Sequence, residues 1–294
     1  MTAPARTVRL ATRGSALALA QTAIAAKLLQ RAARVRTEIV VVHSRGDREA
    51  TTPAAQLEGT GWFTAELEAA LLDGRADAAV HSAKDLPTQL GAGPQATIAI
   101  VERGDPRDAL VTRDGRGLDE LHAGCTVGTS SLRREGFLRA LRPDLRSVPI
   151  RGNVDTRLRK LDEGQVDALL VAAAGLDRLG LGDRASVRLP AETFVPAPAQ
   201  GAIAVETARA EAAALTRRVD DHDHHTCVLA ERTVLEALGG GCRLPLGVWA
   251  RYEGDDVVVV AALATEHGLR RVEAGGEAVD WRETALLVAE GLRA

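Results

Sequence analysis

The sequence predicts an α/β protein of two lobes with a small α+β domain at its C-terminal end, and three observations carry that prediction. Short strand-like apolar runs alternate with longer helix-period segments from residue 7 to about residue 172. A proline-rich stretch, Pro190–Ala199, interrupts the pattern. Beyond Gly239-Gly-Gly241 the pattern becomes that of an antiparallel meander closed by a helix. A chain of 294 residues fits two domains, or three smaller ones.

The elements follow in order. Thr7–Ala11 and Glu38–His43 read as strands, with an Ala/Leu-rich helix over Ser15–Arg34 between them. Thr64–Leu72 reads as a helix, and Ala78–His81 and Thr97–Val101 as buried strands. After a boundary at Arg103–Pro106 come strands at Ala109–Thr112 and Thr126–Gly128, then a helix over Ser131–Leu141. A strand at Ser147–Ile150, a helix over Val154–Glu163 and a strand at Val166–Ala172 complete this set. On the 154–163 helix, Val154, Leu158 and Leu161 fall on one face, with Arg157 on another stripe. Such βα alternation predicts largely parallel sheets. A polar, His-rich stretch, Asp220–His225, precedes a helix over Thr226–Leu238. Val248–Tyr252, Val257–Ala264 and Arg270–Glu273 form the meander, and Trp281–Leu292 the closing helix.

Composition excludes several classes. A net charge of −3 argues against binding nucleic acid by charge alone, and 2% aromatic content leaves few stacking platforms for single strands. No apolar run approaches the roughly 18 residues of a membrane span. The opening MTAPARTVRL lacks the pattern of a secretory signal, and three cysteines do not suggest a disulfide framework, so a cytoplasmic location is expected. Only three of the 37 basic residues are lysines (Lys27, Lys84 and Lys160). Any single arginine is therefore weak testimony.

Position makes some residues more telling. His81-Ser-Ala-Lys84-Asp85-Leu-Pro87 ends a buried strand, where α/β proteins bind ligands. Asp85 there is either an acid/base group or a turn-capping aspartate. Gly128-Thr-Ser-Ser131-Leu-Arg-Arg134 runs from strand into helix, a ready anion site or an ordinary serine cap. Arg151-Gly-Asn153 repeats the design, and Arg178 follows its strand in the same relation. Together these corners predict a cleft for a ligand with several carboxylates or phosphates. Ser44–Gly61 has no apolar periodicity and reads as a lid or a mobile surface loop. Cys242 follows three glycines and precedes Arg243, so it is an accessible thiolate or a small buried residue. A zinc cluster of His222, His224, His225 and Cys227 is not expected, because adjacent histidines diverge and no CxxC pair exists.

Nine stretches carry a resemblance in this order: ATRGSALALAQ (11–21), GWFTAELEAALL (61–72), DAAVHSAKDLP (77–87), ERGDPRDA (102–109), VGTSSLRR (127–134), RGNVDTRLRKLD (151–162), AAGLDRLGL (173–181), PAQGAIAVE (198–206) and GGGCRLPLG (239–247). The chain resembles the porphobilinogen deaminase (hydroxymethylbilane synthase) family over residues 11 to about 247. The resemblance implies two α/β lobes like those of two-domain solute-binding proteins, with the active cleft between them, and a third domain. The expected domains are 5–102 with 201–219, then 107–196, then 222–294. It implies a transferase of porphyrin and heme biosynthesis that joins four porphobilinogen units head to tail, losing ammonia each time, and frees hydroxymethylbilane by hydrolysis. The growing chain is built on a dipyrromethane cofactor, held by a thioether that the resemblance assigns to Cys242.

The same resemblance makes Asp85 the catalytic carboxylate. It assigns Ser82, Lys84, Thr129, Ser131, Arg133 and Arg134 to the cofactor. It assigns Arg13, Ser15, Phe63, Arg151, Arg157, Arg178 and Gln200 to the substrate. No metal, nucleic acid or membrane is implied, and a monomer is expected. Two departures stand out. Gln56, Glu58 and Thr60 replace two lysines and a glycine of the family's lid, and Asp155 replaces a common glycine beside Arg151 and Arg157. The competing readings are a carboxylate-binding module on a two-lobed scaffold, which has no use for a covalent cofactor, and a nucleic-acid binder.

Overall fold

The computed structural model describes residues 6–43, 64–88, 96–240 and 244–293. The chain forms two compact units, one of Met1–Arg103 with Ala202–His225, the other of Gly104–Gly201 with Thr226–Ala294.

The first unit is built on strands β1 (Thr7–Arg13), β2 (Arg36–Val42), β3 (Ala78–Ser82), β4 (Thr97–Arg103) and β10 (Ala202–Thr207), in the order β2-β1-β3-β10-β4. Alternation along β1 sends Val8 and Leu10 to one face and Ala11 to the other. Helix α1 (Ala16–Ala33) covers the first face with Ala25, Ala26 and Leu29, and α2 (Ala65–Leu72) covers the second with Leu67, Ala70 and Leu71. Each fully buried leucine contributes about 1.5–3 kcal/mol. Helix α6 (Ala210–Thr216) follows β10.

The second unit carries β5 (Asp108–Thr112), β6 (Thr126–Gly128), β7 (Arg146–Val148), β8 (Ala168–Ala172) and β9 (Val187–Arg188), in the order β7-β6-β8-β5-β9. Its helices are α3 (Leu132–Leu141), α4 (Val154–Asp162) and α5 (Ala173–Arg178). The meander β11 (Leu246–Glu253), β12 (Asp256–Thr265) and β13 (Gly268–Glu277) is antiparallel throughout and packs against α8 (Trp281–Arg293). One apolar cluster joins Phe137 of α3 to Val258, Val260 and Ala264 of β12. Only glycine permits this approach, because a Cβ on Gly136 would lie 2.6 Å from that of Ala264.

Two expectations are corrected. The sheets are mixed: β1–β2, β1–β3, β6–β7 and β6–β8 are parallel, whereas β10 runs against β3 and β4, and β5 against β8 and β9. A buried apolar run does not encode strand direction. The second correction concerns the His-rich stretch, which is helical: α7 spans His222–Ala237. Asp221 starts it, its Oδ1 accepting from His224 N at 3.0 Å. Cys227 is buried in that helix, and no described helix is long and apolar enough to cross a membrane.

Candidate active site

In the first unit, β1 and β3 lie side by side and parallel, so their carboxyl ends share one sheet edge. Arg13 ends β1 and Ser82 ends β3. Beyond Ser82 a single 3-10 turn, Ala83–Asp85, presents Lys84 and Asp85 to solvent. Arg13, Ser82 and Asp85 line one small cavity with Gln21 and Thr64. Gln21 Nε2 donates to Ser82 Oγ at 3.0 Å. Ser15 is the N-cap of α1, its Oγ accepting from Ala18 N at 3.2 Å.

In the second unit, β7, β6 and β8 are parallel neighbours, and the corner that follows each strand carries predicted residues. After β6, Thr129 Oγ1 accepts from Ser131 N at 3.2 Å, and Ser131 caps α3 by accepting from Arg134 N at 3.4 Å. Ser131 thus acts as the ordinary serine cap, one of the two readings of this corner. After β7, Arg151 precedes the N-cap Asn153, and Arg157 lies one turn into α4, its Nε donating to Gly152 O at 2.8 Å. After β8, Arg178 ends α5 and donates to Gly201 O at 2.6 Å.

Arg133 and Arg134 converge on Asp108, a wholly buried carboxylate that the sequence reading did not single out. Arg133 Nη2 and Arg134 Nη2 each lie 2.7 Å from it, and Gln200 Nε2 donates to it at 3.1 Å. Arg133 also donates to Val195 O at 2.8 Å and lies 5.7 Å from the ring centres of both Phe137 and Phe194. Arg134 donates to Leu170 O at 2.9 Å. Burial pushes the Asp108 carboxyl upward, but the two guanidiniums outweigh it and hold it below the usual carboxylate range. Arg133 and Arg134 are therefore braced rather than loosely presented. The local signal for Asp108 is an acid opening a buried strand, Asp108-Ala-Leu-Val-Thr.

No carboxylate is among the charges acting on Arg157. Burial, and then the charges of Arg134 and Arg151, pull its guanidinium down to about 10. Asp155 is exposed and is not among the charges acting on it. Three guanidiniums gathered this closely, one of them held against its own charge, make a site that an anion relieves. Carboxylate-bearing pyrroles, whether substrate or dipyrromethane, fit this donor set. Among the described residues no group of three or more His, Cys, Asp or Glu is placed to hold a metal ion. Phe63, Cys242 and the lid residues Gln56, Glu58 and Thr60 lie outside the described residues.

Comparison with known proteins meets this geometry. The family profile described as "Porphobilinogen deaminase, dipyromethane cofactor binding domain" matches residues 8–217, and "Porphobilinogen deaminase, C-terminal domain" matches 225–293. The porphobilinogen deaminase of Xanthomonas euvesicatoria pv. vesicatoria is 45% identical over 291 residues, covering 97% of this chain and 95% of the relative. That of Stenotrophomonas maltophilia is 46% identical over 279 residues, covering 93% and 92%. Among solved structures, the Bordetella pertussis BvgS periplasmic VFT2 domain overlaps 72% of this chain and 86% of its own, with a TM-score of 0.43 and 19% identity, too slight to carry an argument. With both profiles and near-full-length relatives in agreement, the chain belongs to the porphobilinogen deaminase family.

Proposed function

We propose that two sets of residues divide the work of this transferase. The enzyme condenses porphobilinogen to hydroxymethylbilane and uses a dipyrromethane cofactor. The cofactor supplies the nucleophilic pyrrole carbon on which the chain grows. Everything else is asked of the protein's own side chains.

Each pyrrole brings an acetate and a propionate arm. Arg151 and Arg157 receive such arms, and the depressed Arg157 guanidinium is the observation that most supports this. Arg133 and Arg134, braced by Asp108, belong with Thr129 and Ser131 to the cofactor set, Arg134 contributing its charge to the same field as Arg157. Ser82 and Lys84 belong to that cofactor set. Arg13, Ser15, Phe63, Arg178 and Gln200 serve the substrate. Cys242 is the attachment point, since a thiolate adds readily to an electrophilic methylene pyrrole.

Asp85 is the catalytic carboxylate. When ammonia leaves porphobilinogen, the pyrrole becomes a delocalised cation, and a fixed anion beside its nitrogen stabilises that charge. After the new carbon–carbon bond forms, the attacking pyrrole's α-carbon carries a surplus proton, which a carboxylate can accept. Arg13 borders the same cavity as Asp85. The domains proposed for this enzyme are 5–102 with 201–219, 107–196 and 222–294, and we propose a monomer that acts in the cytoplasm.

The test is Asp85→Asn. It removes the anion and the base with almost no change of shape, and turnover of porphobilinogen is expected to fall by roughly 10²–10⁴-fold. Turnover within threefold of the parent would remove Asp85 from the mechanism.

A further inference from the structure

Lys160 is one of only three lysines in the chain, and it belongs to neither the cofactor set nor the substrate set. It lies in the last turn of α4, where a lysine ordinarily meets the exposed carbonyls of the helix end. Here the side chain leans toward the helix start, the direction in which helical side chains are tilted. Its Nζ donates to Arg151 O, ahead of the helix, at 3.1 Å.

That bond completes a row of held carbonyls in the corner between β7 and α4. Ser130 Oγ donates to Ile150 O at 2.7 Å, Lys160 to Arg151 O, and Arg157 Nε to Gly152 O at 2.8 Å. Arg157 N then donates to Asn153 O at 3.0 Å. The Arg151 guanidinium has no such support: among the described residues no hydrogen bond or ion pair reaches it. In this it differs from Arg133 and Arg134, which Asp108 braces. Its charge nevertheless acts on Arg157, and like charges push apart. What keeps Arg151 beside Arg157 is therefore its backbone. Among the described residues, Lys160 is the one side chain hydrogen-bonded to that backbone.

We propose that Lys160 is a positioning residue for substrate binding: by holding Arg151 O it keeps the Arg151 guanidinium in place to receive, with Arg157, the carboxylate arms of porphobilinogen. The inference rests on the reading of Arg151 and Arg157 given above. Lys160 acts through the Arg151 main chain and not through its own charge, which is not among those acting on Arg157. It makes no contact with the substrate.

The experiment measures kcat and KM for porphobilinogen with holoenzymes carrying Lys160→Met, which loses the donor at similar length, and Lys160→Arg, which keeps a donor. Lys160→Met is expected to raise KM roughly threefold to tenfold while kcat stays within about twofold of the parent. Lys160→Arg holds KM near the parent value. Arg151→Met is measured alone and together with Lys160→Met. Because Lys160 acts through Arg151, its replacement adds nothing once that guanidinium is gone. An unchanged KM in Lys160→Met overturns the proposal, whatever happens to Tm, because the lysine then only stiffens the corner. So does a fall in kcat alone, a KM for Lys160→Arg as high as for Lys160→Met, or additive effects in the double variant, which would mean that Lys160 works by its own charge. Should Lys160→Met fail to fold, Lys160→Gln, whose shorter side chain withdraws the donor, takes its place with the same expectations. Arg151→Met separates the two readings. If it leaves KM unchanged, the assignment of Arg151 has failed. If it raises KM while Lys160→Met does not, only the inference about Lys160 has failed.

Discussion

Asp108→Asn tests the brace beneath the arginine cluster. The carboxylate is wholly buried and meets Arg133 and Arg134 at 2.7 Å each, with Gln200 at 3.1 Å. Asparagine keeps the shape and one acceptor oxygen, but its NH2 group faces guanidinium donors and its charge is gone. Removing one partner of a buried ion pair costs about 3–5 kcal/mol, because the remaining charge is left uncompensated. Two guanidiniums lose their counter-ion here, so the upper half of that range is expected. At about 2–4 °C per kcal/mol for a body of this size, Tm falls by roughly 8–20 °C.

The pH dependence has a definite sign. The folded-state pKa of Asp108 is lowered, so its stabilisation is fully present above the unfolded value near 4 and is lost as pH falls through the folded value. The difference between parent and Asp108→Asn is therefore largest at neutral pH and shrinks in acid. The assay is calorimetry of both proteins from neutral pH downward. Asp114→Asn, on an exposed pair with Arg116, is the control and leaves Tm unchanged. A Tm for Asp108→Asn within 2 °C of the parent at neutral pH would refute the reasoning.

Arg157→Met removes a guanidinium held against its own charge. It should leave Tm unchanged or raised while lifting the KM for porphobilinogen roughly 10–100-fold, the worth of a charge-assisted hydrogen bond; a lower Tm with unchanged KM would contradict a ligand-binding role. Gly201→Ala places a Cβ 2.5 Å from Gly104 O at φ +86°. It should lower stability by more than about 1 kcal/mol in urea unfolding, and a stability equal to the parent's would contradict that close approach.

How much of this was legible in the sequence depended on whether a signal was local. Ser131 and the two arginines after it announce the β6–α3 corner, because caps and strand-to-helix turns are short-range features. Asp108 does not announce itself: its partners Arg133 and Arg134 are remote in the chain, and ion pairing across a sheet leaves no periodicity. Without it, the arginine pair reads as freely presented, whereas both side chains are buried. Strand β10 was hidden for a different reason. All six of its residues are buried, so no alternation marks it, and its antiparallel course carries no local code. The polar Asp220–His225 stretch concealed the start of α7, where Asp221 caps the helix and Asp220 lies 2.8 Å from His225.

The most direct test of a covalently primed transferase is the intact mass of the purified chain under denaturing conditions, followed by peptide mapping. The expected result is the sequence mass plus two linked pyrrole units, carried on the peptide containing Cys242 and lost in Cys242→Ser. A chain that shows the bare sequence mass, and that gains none on incubation with porphobilinogen, would contradict the account.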